Sequence, residues 1–121
     1  MKKIVTVLFI LIFVVSGLTP DSTADASSHY KYVNVSSTAY CEKGRTATGY
    51  NLAKHPNAKV IAVDPRVIPL GSKVYIPGYG TAVARDTGGA IKGKIIDVHF
   101  GSRHKAIVWG RKHMKIKVYH Y

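Results

Sequence analysis

The sequence predicts an all-β domain, a small barrel or sandwich of about six short strands with one brief helix. Apolar and polar residues alternate in short runs from residue 32 onward, and glycines and prolines separate these runs. The chain has 121 residues, enough for one domain, and 46% of them are hydrophobic, which argues against a disordered chain. A barrel is favoured because closure leaves no exposed sheet edge.

The first segment, residues 1–26, is predicted to be a secretory signal peptide. Lys2 and Lys3 precede an uncharged run over residues 4–18, and Ala24-Asp25-Ala26 is typical of a cleavage site. As a helix this run would extend roughly 22 Å, short of a ~30 Å hydrocarbon core. We therefore expect export and no transmembrane anchor.

The first strand follows a polar leader. Residues 27–36 are predicted to form this leader and the start of the strand, in which Val33 and Val35 alternate with polar neighbours up to Tyr40. Residues 41–57 contain glycines, a proline and several cations, and they are predicted to form an exposed loop.

The remaining strands are predicted at residues 59–63, 72–77, 81–85, 95–100 and 114–120. Two prolines make residues 65–71 a turn or crossover, and residues 86–93 form a glycine-rich loop. A helix is expected at residues 103–109, with Ser102 as its N-cap and Gly110 ending it.

The charge is strongly positive, +12 for the whole chain. Nucleic acid is one possible partner of such a chain, but no recognised nucleic-acid-binding motif appears and the cations are spread along the sequence. For an exported protein we expect anionic wall polymers as the nearer polyanion, with no nucleic acid. A merely soluble cationic surface is the alternative.

Acidic residues are scarce, and after residue 26 there are four: Glu42, Asp64, Asp86 and Asp97. Each aspartate has a structural alternative: a turn before a proline for Asp64, an Asx-turn for Asp86, and pairing with an arginine or backbone amides for Asp97. Because all three border apolar or glycine-rich segments, they together favour a shared polar site.

Histidine and cysteine patterns predict no metal site. The six histidines lack ligand spacing, no compact Asp-x-Asp loop is present, and we expect no cofactor. His99 shares a strand face with Asp97 and could tune it, or be a polar strand residue only. The single Cys41 excludes an internal disulfide; a buried small side chain is favoured over intermolecular pairing, and we expect a monomer.

Several ordered motifs resemble those of the 3D domain proteins, a family named for its three aspartates. They are Thr46-Ala47-Thr48-Gly49, residues 61–72 (IAVDPRVIPLGS), residues 75–80 (YIPGYG), residues 86–93 (DTGGAIKG), Ile96-Asp97-Val98 and Trp109-Gly110. These bacterial proteins are secreted or wall-associated, and they are related to the catalytic region of MltA-type lytic transglycosylases. The resemblance covers about residues 37–118 and assigns residues 37–121 to a 3D domain.

The resemblance implies a double-psi β-barrel acting on peptidoglycan glycan strands, between N-acetylmuramic acid and N-acetylglucosamine, in the cell wall or outside the cell. Asp97 matches the proposed catalytic acid, with Asp86 and Asp64 as neighbours that position it and stabilise positive charge. We expect partial burial and both neighbouring charges to raise the pKa of Asp97.

The predicted substrate-binding residues are Thr48, Gly88, Gly89 and Lys92. The two glycines would let a sugar approach the backbone closely. Thr48 and Lys92 would bind hydroxyl or acetamido groups, or else be a turn hydroxyl and a solvated lysine. The alternative function is a non-catalytic, expansin-like module that binds wall glycan. The enzyme hypothesis requires residues 64, 86 and 97 to meet in one groove.

Overall fold

The computed structural model describes residues 29–119. The chain divides into two units, Met1–Tyr30 and Lys31–Tyr121. The predicted signal peptide, residues 27–28 of the leader and residue 120 of the last predicted strand lie outside the described residues. The elements in the described part are β1 (Tyr30–Tyr40), β2 (Val60–Ala62), β3 (Lys73–Ile76), β4 (Gly80–Asp86), β5 (Ile95–His99), α1 (Arg103–Trp109) and β6 (Lys112–Tyr119).

The strands form a closed barrel in the order β1-β5-β2-β4-β3-β6. The pairs β1–β5 and β2–β4 are parallel, whereas β2–β5, β3–β4 and β3–β6 are antiparallel. The prediction of a small six-stranded barrel with one short helix is therefore confirmed for the described residues.

Alternation along each strand explains the core. Ile96 and Val98 of β5 and Ile116 and Val118 of β6 are fully buried, and the residues between them are more exposed. Successive side chains of a strand point to opposite faces, so one face fills the barrel and the other carries the polar residues. Burial of the apolar face is the main force that closes the barrel.

Helix α1 covers the barrel through its last residue. Ser102 caps it by accepting a hydrogen bond from Lys105 N at 3.4 Å, and Gly110, at φ 64°, ends it. Trp109 is buried and donates its indole N–H to Ser37 Oγ at 3.1 Å. Its ring packs against Tyr79 and Phe100, and both predicted helix ends are confirmed.

The segment between β1 and β2 is mostly exposed loop, but it also contributes two buried side chains. Leu52 is fully buried and Thr46 nearly so, and Arg45 and Asn51 form a β-bridge across it. The prediction of an exposed loop is therefore right for most of the segment and missed these two buried side chains, because the local polarity hides them. The imidazole of His99 bridges the two ends of the segment. Its Nε2 lies 3.1 Å from Glu42 O, and its Nδ1 lies 3.4 Å from Ala58 O.

The close packing of the residues after β5 against the β1–β2 segment can be tested at Gly101. A Cβ at Gly101 would lie 2.5 Å from both Pro56 O and Asn57 Oδ1. We expect Gly101→Ala to lower the free energy of unfolding by about 1–3 kcal/mol, the usual cost of overpacking. Thermal or denaturant unfolding measures this.

The matched control is Gly44→Ala, because a Cβ at Gly44 meets no atom within 4 Å. Its effect should stay within about 0.5 kcal/mol. Equal destabilisation by the two substitutions would contradict the packing described here.

Candidate functional site

Two of the three aspartates flank one residue of the sheet, Ala62 in β2. Ala62 pairs with Asp97 across the antiparallel β2–β5 ladder and with Asp86 across the parallel β2–β4 ladder. Paired residues direct their side chains to the same face of a sheet. Asp86 and Asp97 are therefore brought to one face from two different strands.

A β-bulge in β4 is responsible for the placement of Asp86. Ile61 pairs with Ala84, but the next residue, Ala62, pairs with Asp86, so Arg85 is the extra residue. Without the bulge Asp86 would share the inward face of Ala84, which is fully buried. The extra residue moves the carboxylate to the outer face, as bulges beside functional sites commonly do.

Strand β1 supplies a hydroxyl donor to each carboxylate. Thr38 pairs with Asp97 in the parallel β1–β5 ladder, and its Oγ1 donates to Asp97 Oδ1 at 2.9 Å. Tyr40 lies two residues further along β1, on the same face, and its hydroxyl donates to Asp86 Oδ2 at 3.2 Å.

The two carboxylates differ in how many hydrogen bonds they accept. Asp86 Oδ1 accepts from the backbone amides of Ala47 and Thr87, both at 2.9 Å, in addition to the Tyr40 bond at Oδ2. Asp97 Oδ1 accepts from Thr38, and no donor among residues 29–119 reaches its Oδ2; since no buried side-chain polar atom in that range lacks a partner, that oxygen is open to solvent. One carboxylate is fully bound, and the other keeps an oxygen available.

The pKa of Asp97 is also affected by its surroundings. Burial raises the pKa of Asp97 above its ordinary value, and the charges of Asp86 and Glu42 raise it further, while the Thr38 hydrogen bond lowers it. Burial, followed by the charge of Asp86, raises the pKa of Tyr40 well above its ordinary value. Tyr40 therefore remains a donor, and Asp97 is the carboxyl whose protonated form the site favours.

Asp64 is engaged differently. Arg66 binds it in bidentate fashion, with Nε 3.1 Å from Oδ1 and Nη2 2.9 Å from Oδ2, and Gly93 N donates to Oδ2 at 2.8 Å. These bonds, the Arg66 side chain first, hold the pKa of Asp64 well below its usual range. Asp64 thus ties the turn after β2 to the loop before β5.

The charges acting on Asp97 differ in part from the expected ones. Asp86 contributes as predicted, but the second charge is Glu42 rather than Asp64, whose carboxylate is balanced by Arg66. The structure therefore brings Asp86 and Asp97 into one electrostatic unit and gives Asp64 its own partners. The convergence of all three aspartates that the sequence hypothesis required is reduced to these two, and the proposal below rests on the two alone.

The predicted substrate-binding residues have distinct surroundings. Thr48 Oγ1 donates to Arg85 O at 2.8 Å, so its hydroxyl anchors the β1–β2 segment to the bulge. A Cβ at Gly88 would lie 3.0 Å from Ile91 Cγ1, whereas the space at Gly89 is open. Lys92 is exposed. Of these four, Gly89 and Lys92 leave room for a ligand.

Sequence reasoning missed Thr38, Tyr40 and Glu42. Alternation along β1 places Thr38 and Tyr40 on its outer face, but nothing in the sequence shows that β1 lies beside β5. His99 is buried, and its ring contacts backbone carbonyls and the edge of Tyr40. It behaves as a structural strand residue, which was one of the two possibilities considered.

Three further features complete the site description. Cys41 is a free, half-buried thiol rather than a buried one. Within residues 29–119, no cluster of three or more metal-ligating side chains is found. Over the same range, no helix combines the length and apolar character needed to cross a membrane.

Comparison with known proteins gives one family match and several relatives. The 3D domain family matches residues 59–120. YabE of Bacillus subtilis (strain 168), named for cell wall shaping, is 59% identical over 93 residues, covering 73% of this chain and 23% of YabE. YocH of the same organism, named as a cell wall-binding protein, is 58% identical over 93 residues, covering 73% of this chain and 32% of YocH. The chain thus spans about a quarter to a third of these relatives.

Two kinds of solved structure are similar. The Streptomyces papain inhibitor has a TM-score of 0.54 at 17% identity, covering 75% of this chain and 96% of that one, which is a likeness of fold. MltA from E. coli has a TM-score of 0.48 at 24% identity, covering 64% of this chain and 27% of that one.

The Asp64–Arg66 pair predicts a pH-dependent contribution to stability. The folded-state pKa of Asp64 lies below its unfolded value, so the unfolded chain binds more protons between the two values. We expect Asp64→Asn to melt at a lower temperature than the wild type at pH 7. The difference should shrink as the pH falls below about 4, the ordinary pKa of aspartate.

Thermal melts at several pH values between about 7 and 2 measure this, since the range brackets the ordinary aspartate pKa. Arg66→Gln, which removes the other partner, should show the same trend. A melting-temperature difference that stays constant down to the lowest pH would contradict the assignment.

Proposed function

The chain belongs to the 3D domain family, and from this premise we propose that its barrel is a lytic transglycosylase that cleaves the glycan strands of peptidoglycan. The coarser part of the proposal is a role at the cell wall, which the names of YabE and YocH support. The finer part is the reaction, at the bond between N-acetylmuramic acid and N-acetylglucosamine.

The proposal rests on a difference between two neighbouring carboxylates in the number of hydrogen bonds that they accept. Asp86 accepts three hydrogen bonds, while Asp97 accepts one and has a raised pKa. Pairs of acids whose environments differ in this way are typical of glycosidic-bond chemistry, where one group must hold a proton. A general acid works best when its pKa lies near the working pH.

In the proposed reaction Asp97 donates its proton to the glycosidic oxygen as the bond from that oxygen to C1 breaks. The sugar's own C6 hydroxyl oxygen then bonds to C1, and its proton passes to the Asp97 carboxylate. This closes a 1,6-anhydro ring, regenerates the acid and consumes no water. One carboxyl therefore suffices, in contrast to hydrolases that need a second one for water or a covalent intermediate.

Asp86 has the supporting electrostatic role. Its negative charge, fixed by Ala47 N, Thr87 N and Tyr40 OH, would stabilise the positive charge that develops at C1. The same charge favours the protonated form of Asp97 before the reaction. Tyr40 is a positioning residue, because it acts through Asp86.

Of the other predicted site residues, some would bind the sugar and others would hold the surrounding loops in place. We propose that Gly89 and Lys92 contact the sugar, since both are exposed at the loop that follows Asp86. Asp64 would hold that loop in place through Gly93 N, and Thr48 would fix the opposite edge through Arg85 O. Asp64 thereby contributes to the site without touching the reacting atoms.

The proposed setting is the cell wall or the space outside the cell. The predicted signal peptide would export the chain, and peptidoglycan glycan strands would be its substrate. Anionic wall polymers are a proposed second partner, for which the positive charge of the chain is the argument. We propose no cofactor for the reaction, because proton transfer and ring closure need none.

A second candidate is the expansin-like module that binds glycan without cleaving it. The name of YocH, a cell wall-binding protein, is the specific observation in its favour. In that case Asp86, Asp97 and the open surface at Gly89 would bind sugar hydroxyls only. The two candidates differ in products, so one digestion separates them.

The first test compares wild type with Asp97→Asn on purified peptidoglycan. We expect 1,6-anhydro-muropeptides from the wild type by mass spectrometry and at least a ~100-fold lower rate from the variant, the usual contribution of a general acid. Reducing-end products would indicate hydrolysis instead. Wall binding with no products from either protein would favour the binding module.

Stability measurements control for misfolding. Because burial raises the folded-state pKa of Asp97, its charged form costs stability at neutral pH, and the neutral Asn removes that cost while still accepting from Thr38. Asp97→Asn should therefore melt at an equal or higher temperature than the wild type. Asp64→Asn, which loses its ion pair, should melt lower yet retain more activity.

A second test uses the pH dependence of the rate. Thr38 lowers the pKa of Asp97, so removing its hydroxyl in Thr38→Val should move the alkaline limb of the pH–rate profile to higher pH. The shift is to higher pH because activity needs the protonated form of Asp97, and a higher pKa keeps that form present up to a higher pH. Thr81→Val, an exposed threonine on β4, is the matched control and should leave the profile unchanged. A shift to lower pH in Thr38→Val would contradict the role of Asp97.

A further inference from the structure

Three neighbouring strands of the barrel contain no acidic residue. Strands β3, β6 and β1 follow one another around the closed barrel, and none of their residues is Asp or Glu. The four acids of residues 29–119 lie on or just after other elements: Glu42 after β1, Asp64 after β2, Asp86 in β4 and Asp97 in β5. The charged side chains that these three strands carry are therefore all basic.

The cations of β6 form a regular row. Ile116 and Val118 are fully buried, so alternation places Lys115 and Lys117 on the outer face. Residues two apart on a strand are separated by about 6.8 Å. The two lysines thus extend from one face of β6, with the spacing of their Cα atoms set by the strand.

A groove between β1 and β6 extends this row. It has a volume of about 510 Å³, and its wall includes Lys94, His113 and Lys115 together with the polar Asn34 and Ser36. Arg111 Nη1 donates to Ser36 Oγ at 3.3 Å, which holds its guanidinium beside the groove. The surface formed by Lys94, Arg111, His113, Lys115 and Lys117 is called the β6 cationic face below.

Tyr32 of β1 positions two of these cations. It is 58% exposed, and the Nζ atoms of Lys115 and Lys117 lie 5.7 Å and 5.9 Å from its ring centre. Cations at such distances are attracted to the face of an aromatic ring. The exposed ring therefore lies between the two strands as a shared neighbour of both ammonium groups.

We propose that the β6 cationic face binds a flexible polyanion made of polyols joined by phosphodiesters, the chemistry of anionic wall polymers. Several fixed cations along one strand and groove match a repeated phosphate, and each contact releases a condensed counterion. This site lies on strands other than β4 and β5, which carry the paired carboxylates. The inference does not depend on glycan cleavage, so either can fail alone.

The probe is a purified poly(glycerol phosphate), titrated into the full-length chain at several salt concentrations. We expect Lys115→Gln/Lys117→Gln to weaken binding about tenfold or more at low salt. The slope of log affinity against log salt should fall by about 1.4, the value for two lost phosphate contacts on a flexible strand. Lys115→Arg/Lys117→Arg keeps both charges and should restore binding.

The matched control is Lys43→Gln/Lys54→Gln, which removes the same charge from exposed residues of the β1–β2 segment. It should leave most of the affinity intact. An equal loss in both double variants would overturn the proposal, because affinity would then follow net charge alone. Equal or tighter binding of single-stranded DNA of matched length would overturn it in favour of a nucleic acid, and no binding of poly(glycerol phosphate) would also overturn it.

Discussion

The placement of Asp86 by the bulge at Arg85 is the constraint on which the site depends. In a regular β4 the carboxylate would enter the barrel with Ala84, where an unpaired charge is very costly. The extra residue turns it to the outer face, opposite Ala62, and there it meets donors from three places in the chain. A single local irregularity in register thus decides whether the barrel carries two adjacent carboxylates or one.

The segment between β1 and β2 makes this arrangement stable. Its amide at Ala47 donates to Asp86, and its two ends are joined by the imidazole of His99. His99 lies two residues beyond Asp97 on the same face of β5, so one strand carries the acid and the residue that secures the neighbouring segment. Strand β5 therefore both carries Asp97 and, through His99, holds the segment whose amide donates to Asp86.

The strands and helix could be read from the sequence because each depends on local alternation, capping and turn residues. Ser102, Gly110 and the buried pairs Ile96/Val98 and Ile116/Val118 are examples. The site could be predicted only in part. The aspartates could be identified as candidates because acidic residues are scarce in the chain. Three other features depend on tertiary structure: the bulge, the β1–β5 pairing and the pairing of Arg66 with Asp64. Alternation in a single sequence shows which face of a strand is buried, but it does not show which strands pair or where a bulge interrupts the pairing.

The uneven support of the two carboxylates has an energetic meaning. A half-buried acid with one donor is less stable in its charged form than one with three, so Asp97 is maintained at a cost that the rest of the barrel offsets. Asp86 accepts three hydrogen bonds from the protein and Asp64 is paired with Arg66 and Gly93 N, whereas Asp97 accepts one and keeps its other oxygen open to solvent. This difference in hydrogen bonding and in burial is why our proposal assigns the acid role to Asp97 and the supporting role to Asp86.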